Sequence, residues 1–174
     1  MWQGSVVIAP ATPEDLEWAQ RNLSRGIEVV SQPQGNLGER LQEIDQELRD
    51  RRYERQIIIG SDMPEMTQAI LQQADELLFQ YDVVLSSASD GGVALMASRC
   101  PWPPLADLPW STPQLGQSLA DCCRQHGLSV GWADDCDDVD IIEDLFRLRD
   151  NLKTDDRAAR QRLYHLVVEL LEEY

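Results

Sequence analysis

Gln56-Ile57-Ile58-Ile59-Gly60-Ser61-Asp62-Met63-Pro64 carries no charge for six residues, then breaks on an aspartate and a proline. Three consecutive β-branched residues without polar alternation read as a strand covered on both faces. The same grammar recurs outward in both directions. Val6 to Ala9, Ile27 to Ser31, Asp82 to Ser86, Gly92 to Ala97 and Leu128 to Trp132 are further short apolar runs. Longer stretches between them repeat apolar residues at helical spacing, as at Leu37, Leu41, Ile44 and Leu48, and at Met66, Ile70, Ala74, Leu77 and Leu78. Thr12-Pro13 opens one helix toward Asn22, and Thr112-Pro113 opens another that ends near His126-Gly127. Two helices, 141–152 and 155–173, close the chain. Strands alternating with helices predict an α/β protein with a mostly parallel sheet, in one domain over residues 1–174.

In such folds ligands bind beyond the carboxyl ends of the strands, and those ends are rich in oxygen donors. Asp62 follows the 56–60 strand, and Ser87-Ala88-Ser89-Asp90-Gly91-Gly92 follows the 82–86 strand. The last strand runs into a loop with five aspartates in the seven positions 134 to 140. Carboxylates on rigid strand ends suit a hard divalent cation, and an acidic loop this dense repels itself unless neutralised or screened. Each motif also has a plainer reading. Asp62 with Ser61 suits the N-cap of the following helix, and the last aspartate of the acidic loop suits the cap of 141–152. Asp90-Gly91-Gly92 suits a hairpin turn. Gln34-Gly35-Asn36, opening the 37–51 helix beside Arg40, offers amides where an anion could sit but lacks the lysine of a Walker loop.

Composition narrows the function classes. Asp and Glu number 31 against 15 Lys and Arg, for a net charge of −16, so phosphate backbones and anionic lipid surfaces are repelled. Nucleic acid and membrane are therefore not expected as partners. The start Met1-Trp2-Gln3-Gly4-Ser5 lacks a signal-peptide pattern, and the four cysteines show no CxxC spacing. The expectation is an acidic cytoplasmic protein with reduced thiols. Cys122 and Cys123 fall on different faces of one helix, one buried and one near the surface. His126 serves a helix end, and His165 faces solvent.

Taken in order, QPQGNLGERL, IIIGSDMP, DVVLSSASDGG, PWST and DDVDIIEDL resemble a bacterial family of glycosyltransferase-A-like proteins, relatives of the nucleotide-diphospho-sugar transferases. The resemblance runs from about Ser5 to the C-terminal helix, and GSDMP with the DxD-then-ED pattern is its most specific part. It implies a Rossmann-like α/β/α sandwich and transfer from a nucleotide-activated sugar, with Mg²⁺ or Mn²⁺ on the diphosphate. It places metal ligands on Asp62 and Asp140, with Asp138 as a helper. Asp90 falls in the acceptor or sugar region, with Gly91 and Gly92 beside it. Gln34, Gly35, Asn36 and Arg40 fall along the same cleft. The family also has a first strand and a glycine- and basic-residue-rich loop with no counterpart in these residues. It tends to have Asp where Asn36 stands, an aromatic residue after the DGG, and Thr where Ile141 stands. These departures keep, as the alternative function, a non-catalytic or truncated remnant of the same fold that acts as a binding protein. The extra strand of the family lies between those matching residues 5–9 and 56–60. Without it, either these two strands pair directly or a second chain covers the gap, and a homodimer is expected.

Overall fold

The computed structural model describes residues 3–23, 26–88 and 90–173. Its elements, in chain order, are β1 (Val6–Ile8), α1 (Pro13–Asn22), β2 (Ile27–Val29), α2 (Leu37–Asp50), β3 (Gln56–Ile59) and α3 (Gln68–Leu77). There follow β4 (Val83–Ser87), β5 (Val93–Ser98), α4 (Leu115–Gln125), β6 (Val130–Trp132), α5 (Ile142–Leu152) and α6 (Ala158–Glu173). None of these helices is long and apolar enough to cross a membrane.

The larger sheet has the order β3-β5-β4-β6. Strands β4 and β6 are parallel, and β5 runs antiparallel to both β3 and β4. Three strands therefore share one direction and β5 alone opposes them. The opposed strand arises because β4 and β5 are joined by the Asp90-Gly91-Gly92 turn, too short for the helical crossover that a parallel neighbour needs. Alternation along the strands builds a layer on each face. Ile57, Val84, Leu95 and Ala97 join the core beneath α3, which also takes in Met63, Met66, Ala74 and Leu78. Ile58, Val83, Leu85 and Met96 join the opposite core with Trp102, Leu105, Leu119 and Cys123. The result is the expected α/β/α sandwich. Helices α5 and α6 pack on each other through Leu148, Leu152 and Val167.

Several local expectations shift by a turn. Thr12 caps α1 as predicted, accepting from the Asp15 N–H at 3.1 Å. The cap of α3 is Thr67, five residues beyond Asp62, because the segment 61–66 forms turns before the helix begins. α4 begins at Leu115, since the Thr112 hydroxyl donates to the Pro109 carbonyl (2.7 Å) in a preceding turn. Asp140 does not cap α5: Asp144 reaches back instead and accepts from the N–H groups of Asp140 (3.0 Å) and Ile141 (3.1 Å). Cys123 is fully buried and Cys122 half-buried. His126 is the C-cap of α4.

The start of β4, the start of β6 and the end of β5 meet at Asp82. Its carboxylate accepts from the Ser129 hydroxyl (2.6 Å), the Ser129 N–H (3.0 Å) and the Arg99 guanidinium (2.9 Å), stapling β4 to β6. Ser129, first through its hydroxyl, then Arg99, hold this carboxyl down to about 2. A depressed carboxylate stabilises the fold above its unfolded value of about 3.9 and loses that contribution as pH falls toward its folded value. Asp82→Ala is expected to cost about 1–2 kcal/mol at pH 7, at the modest end because the group is partly exposed. In urea unfolding the gap between variant and parent should close between pH 4 and about 2. A gap unchanged down to pH 2 would refute the staple.

Candidate functional site

The loop after β6 does not project into solvent; it is stitched across the carboxyl ends of the sheet. The Ala133 N–H donates to Leu85 O (2.8 Å), that of Cys136 to Ser87 O (3.1 Å) and that of Val139 to Asp62 O (3.2 Å). The chain thus walks from the end of β4 to the turn after β3, carrying its aspartates with it. Asp138 feels the result. Burial first, then the negative charges of Asp140, Asp90 and Asp62, push its carboxyl above the usual range. Charges from three separate strand ends thus all reach Asp138.

Neutralisation is uneven. Arg147 of α5 pairs with Glu65 (3.2 Å), Asp144 (2.9 Å) and Asp137 (3.8 Å), and donates to the Asp138 carbonyl (2.8 Å). It clamps the loop to α5 and to the segment after β3. Arg160 adds a bond to the Met66 carbonyl at 3.0 Å. No Lys or Arg among the described residues pairs with Asp62, Asp90, Asp138 or Asp140. The sequence reading missed Arg147, whose spacing to Asp144 looks like ordinary helix-surface pairing. Its decisive partners, Glu65 and the Asp138 carbonyl, are not adjacent on a helix.

The individual groups sit as follows. The Asp62 side chain folds back over Gly60, leaving no room there for a Cβ. Asp90 caps its own turn, accepting the Gly92 N–H at 2.7 Å. Gly91, with φ of +88°, is pressed against the backbone of Pro113. That contact brings the PWST segment onto the DGG turn, and the Gly116 N–H reaches Gly91 O at 3.3 Å. Asn36 caps α2 through a box with Glu39, and its amide donates to Ala106 O at 3.2 Å. Gln34 and Gly35 are exposed beside it. Arg40 donates to the Gln32 side chain (2.7 Å) and its Nε is buried without a partner. Among the described residues no three His, Cys, Asp or Glu converge into a ready-made cage. A shallow concavity of about 290 Å³ lies along α2, lined by Gln42, Glu43, Asp45, Gln46, Pro101 and Trp102, with none of the four carboxylates on its wall.

Residues 1–112 match the family model described as an uncharacterized protein conserved in bacteria, DUF2064. The chain belongs to that family. A solved structure from Desulfovibrio desulfuricans G20, described as a candidate nucleotide-diphospho-sugar transferase, superposes on this DUF2064 chain with a TM-score of 0.77. The two are 25% identical, and the match covers 94% of this chain and 74% of the other. No curated protein matches. The family match takes in Asp62, Asp90 and the loop at Gln34 to Arg40, whereas Asp138 and Asp140 lie beyond it. The structural likeness covers nearly all of this DUF2064 protein, in agreement with the sandwich and its transferase-like fold.

Proposed function

We propose that this protein is a metal-dependent transferase acting on a nucleotide-activated sugar. The observation that carries the reading is the set Asp62, Asp90, Asp138 and Asp140 at the strand ends, with no basic residue among the described residues pairing any of them. The set fits Mg²⁺ or Mn²⁺ by chemistry: every donor is a hard carboxylate oxygen, and the collected charge needs a cation. Asp62 and Asp140 would hold the ion, with Asp138 assisting. When bound, the metal supplies charge neutralisation of the diphosphate and of the leaving nucleoside phosphate.

The protein's own groups do the remaining work. Arg147 fixes the loop that carries Asp138, so both aspartates stay over the strand ends. Asp90, in a turn buttressed by the Pro113 backbone, orients an acceptor hydroxyl and takes its proton. Gln34, Gly35 and Asn36, at the start of α2, bind polar groups of the donor, and Arg40 adds positive charge beside them. The similarity to a candidate nucleotide-diphospho-sugar transferase supports the substrate class.

A second reading, a binding protein of the same fold without catalysis, is favoured by one feature. Asp90 is engaged within its own turn, and the carboxylates do not converge. Calorimetric titration of nucleotides and sugar nucleotides, with and without Mn²⁺, separates the two. The transferase reading expects binding of one nucleotide only with Mn²⁺, weakened at least about tenfold, or 1.4 kcal/mol, in Asp62→Asn or Asp140→Asn. Silence across the series, or binding indifferent to both substitutions, would overturn it in favour of the second reading.

A further inference from the structure

Among the described residues β1 ladders with β2 and β3 with β5, so residues 5–9 and 56–60 do not pair directly. A homodimer needs a self-complementary surface, and α6 has the pattern of one. Its inner face packs on α5: Val167 meets Leu148 and Leu152, with Leu163, Tyr164 and Leu171 alongside. A second apolar stripe runs beside that face.

Ala159, Leu163, Leu166 and Leu170 recur at spacings of four, three and four, the rhythm of a seam between two helices. With 3.6 residues per turn, the midline of this stripe lies roughly a quarter turn from Val167. α5 therefore leaves most of it open: Leu166 is 51% exposed, Leu170 is 46% exposed, and Ala159 is exposed too. Arg162 and Glu169 border the stripe on the side away from Val167, one heptad apart. Neither side chain bonds or pairs with another described residue.

We infer that α6 pairs antiparallel with α6 of a second copy of this chain. The stripe and the charges agree on one register. Leu163 of one copy faces Leu166 of the other, and Ala159 faces Leu170, each contact occurring twice about the twofold axis. In that same register Arg162 of one copy faces Glu169 of the other, again twice. A parallel seam would instead set Arg162 against Val167, which is already buried on α5. The overlap is about twelve residues, or roughly 18 Å of helix, at the low end of specific interfaces. Each copy also carries a net charge of −16, so the dimer comes apart on dilution. A lipid surface is the poorer occupant, because Glu169 borders the stripe and the whole chain is acidic.

Analytical ultracentrifugation of the whole protein, from about 1 μM to about 1 mM, tests the pairing. The parent should pass from monomer to dimer over this range, and Leu166→Gln should stay monomeric. Arg162→Glu and Glu169→Arg should each weaken self-association at least about tenfold. An equimolar mixture of these two variants should recover it, because each changed residue then faces an opposite charge. Glu169→Arg is the sharper of the pair. It lowers the net negative charge, so general repulsion alone predicts tighter association, the opposite sign. All three positions lie on the exposed side of α6, so unfolding midpoints should match the parent's, and the mixture reads the pairing even if one variant is less stable. A parent that is monomeric throughout, a dimer indifferent to Leu166→Gln, tighter association of Glu169→Arg, or a mixture that fails to recover would each overturn the inference. So would a monomer that binds phosphatidylcholine vesicles through Leu166, which would give the face to a lipid surface.

Discussion

Arg49→Met is expected to destabilise the fold by about 3–5 kcal/mol, because it strands a buried carboxylate. Asp45 on α2 is 2% exposed and is met by a two-point bond from Arg49, at 2.9 and 3.0 Å. The same guanidinium bonds the buried Ser98 hydroxyl of β5 (2.7 Å) and the Glu54 carbonyl (2.9 Å). One side chain thus ties α2 to the start of β3 and the end of β5. Burial pushes the Asp45 carboxyl up, and Arg49 pulls against it. Removing Arg49 leaves the upward push opposed only by the weaker backbone hydrogen bond from Trp102, so the variant's folded state holds the proton more tightly than its unfolded chain. A raised carboxyl costs stability above its folded value, and that cost fades as pH falls toward the unfolded value of about 3.9. Chemical denaturation should therefore show a larger loss at pH 8 than at pH 5. The double variant Asp45→Leu/Arg49→Met should recover part of the loss, since no charge is then left unpaired. A single-variant loss below about 1 kcal/mol, or a double variant worse than the single, would show that the pair is not the tie described.

The element order was legible because each strand is a short β-branched run and each helix repeats at 3.6 residues. The two-sided cover of Ile57 and Ile58 followed directly from the absence of polar alternation in 56–59. What periodicity cannot report is direction. The run at 92–97 reads as a strand, but only the shortness of the Asp90-Gly91-Gly92 turn says that it opposes its neighbours. The carboxylates at strand ends were legible for the same reason as the fold, since a strand's end is a position in sequence. The cap of α3 misled because Asp62 and Ser61 directly follow the strand, whereas the turns of 61–66 carry the helix start on to Thr67. The clamp by Arg147 was out of reach, because its pairing with Glu65 joins segments 82 positions apart. That β1 pairs with β2 and β3 with β5, and not β1 with β3, among the described residues is likewise a tertiary property, which composition alone does not report.

Gly91→Ala should be among the most damaging single-methyl additions to this protein, and Gly127→Ala supplies its control. Both glycines adopt left-handed backbone, with φ of +88° and +79°. At Gly127 nothing lies within 4 Å of where a Cβ would stand, so alanine there meets only the backbone preference of about 1–2 kcal/mol. At Gly91 the added carbon would press on the Pro113 carbonyl oxygen and come within 3.0 Å of the Pro113 Cα. Those are main-chain atoms at the entry to α4, tied back to the turn by the Gly116 N–H. They cannot swing aside as a flexible side chain would, so either the turn rotates or α4 shifts. Overpacking adds about 1–3 kcal/mol to the backbone term, for an expected total near 3 or more. Rotation of the turn would also carry Asp90 away from Asp138, whose carboxyl feels its charge. The Gly91 variant should therefore weaken any Mn²⁺-dependent nucleotide binding, while the Gly127 variant leaves it unchanged. Denaturation midpoints of the two variants, measured side by side, isolate the contact with Pro113. Equal losses would show that the turn yields freely, and would remove the buttress assigned to Asp90.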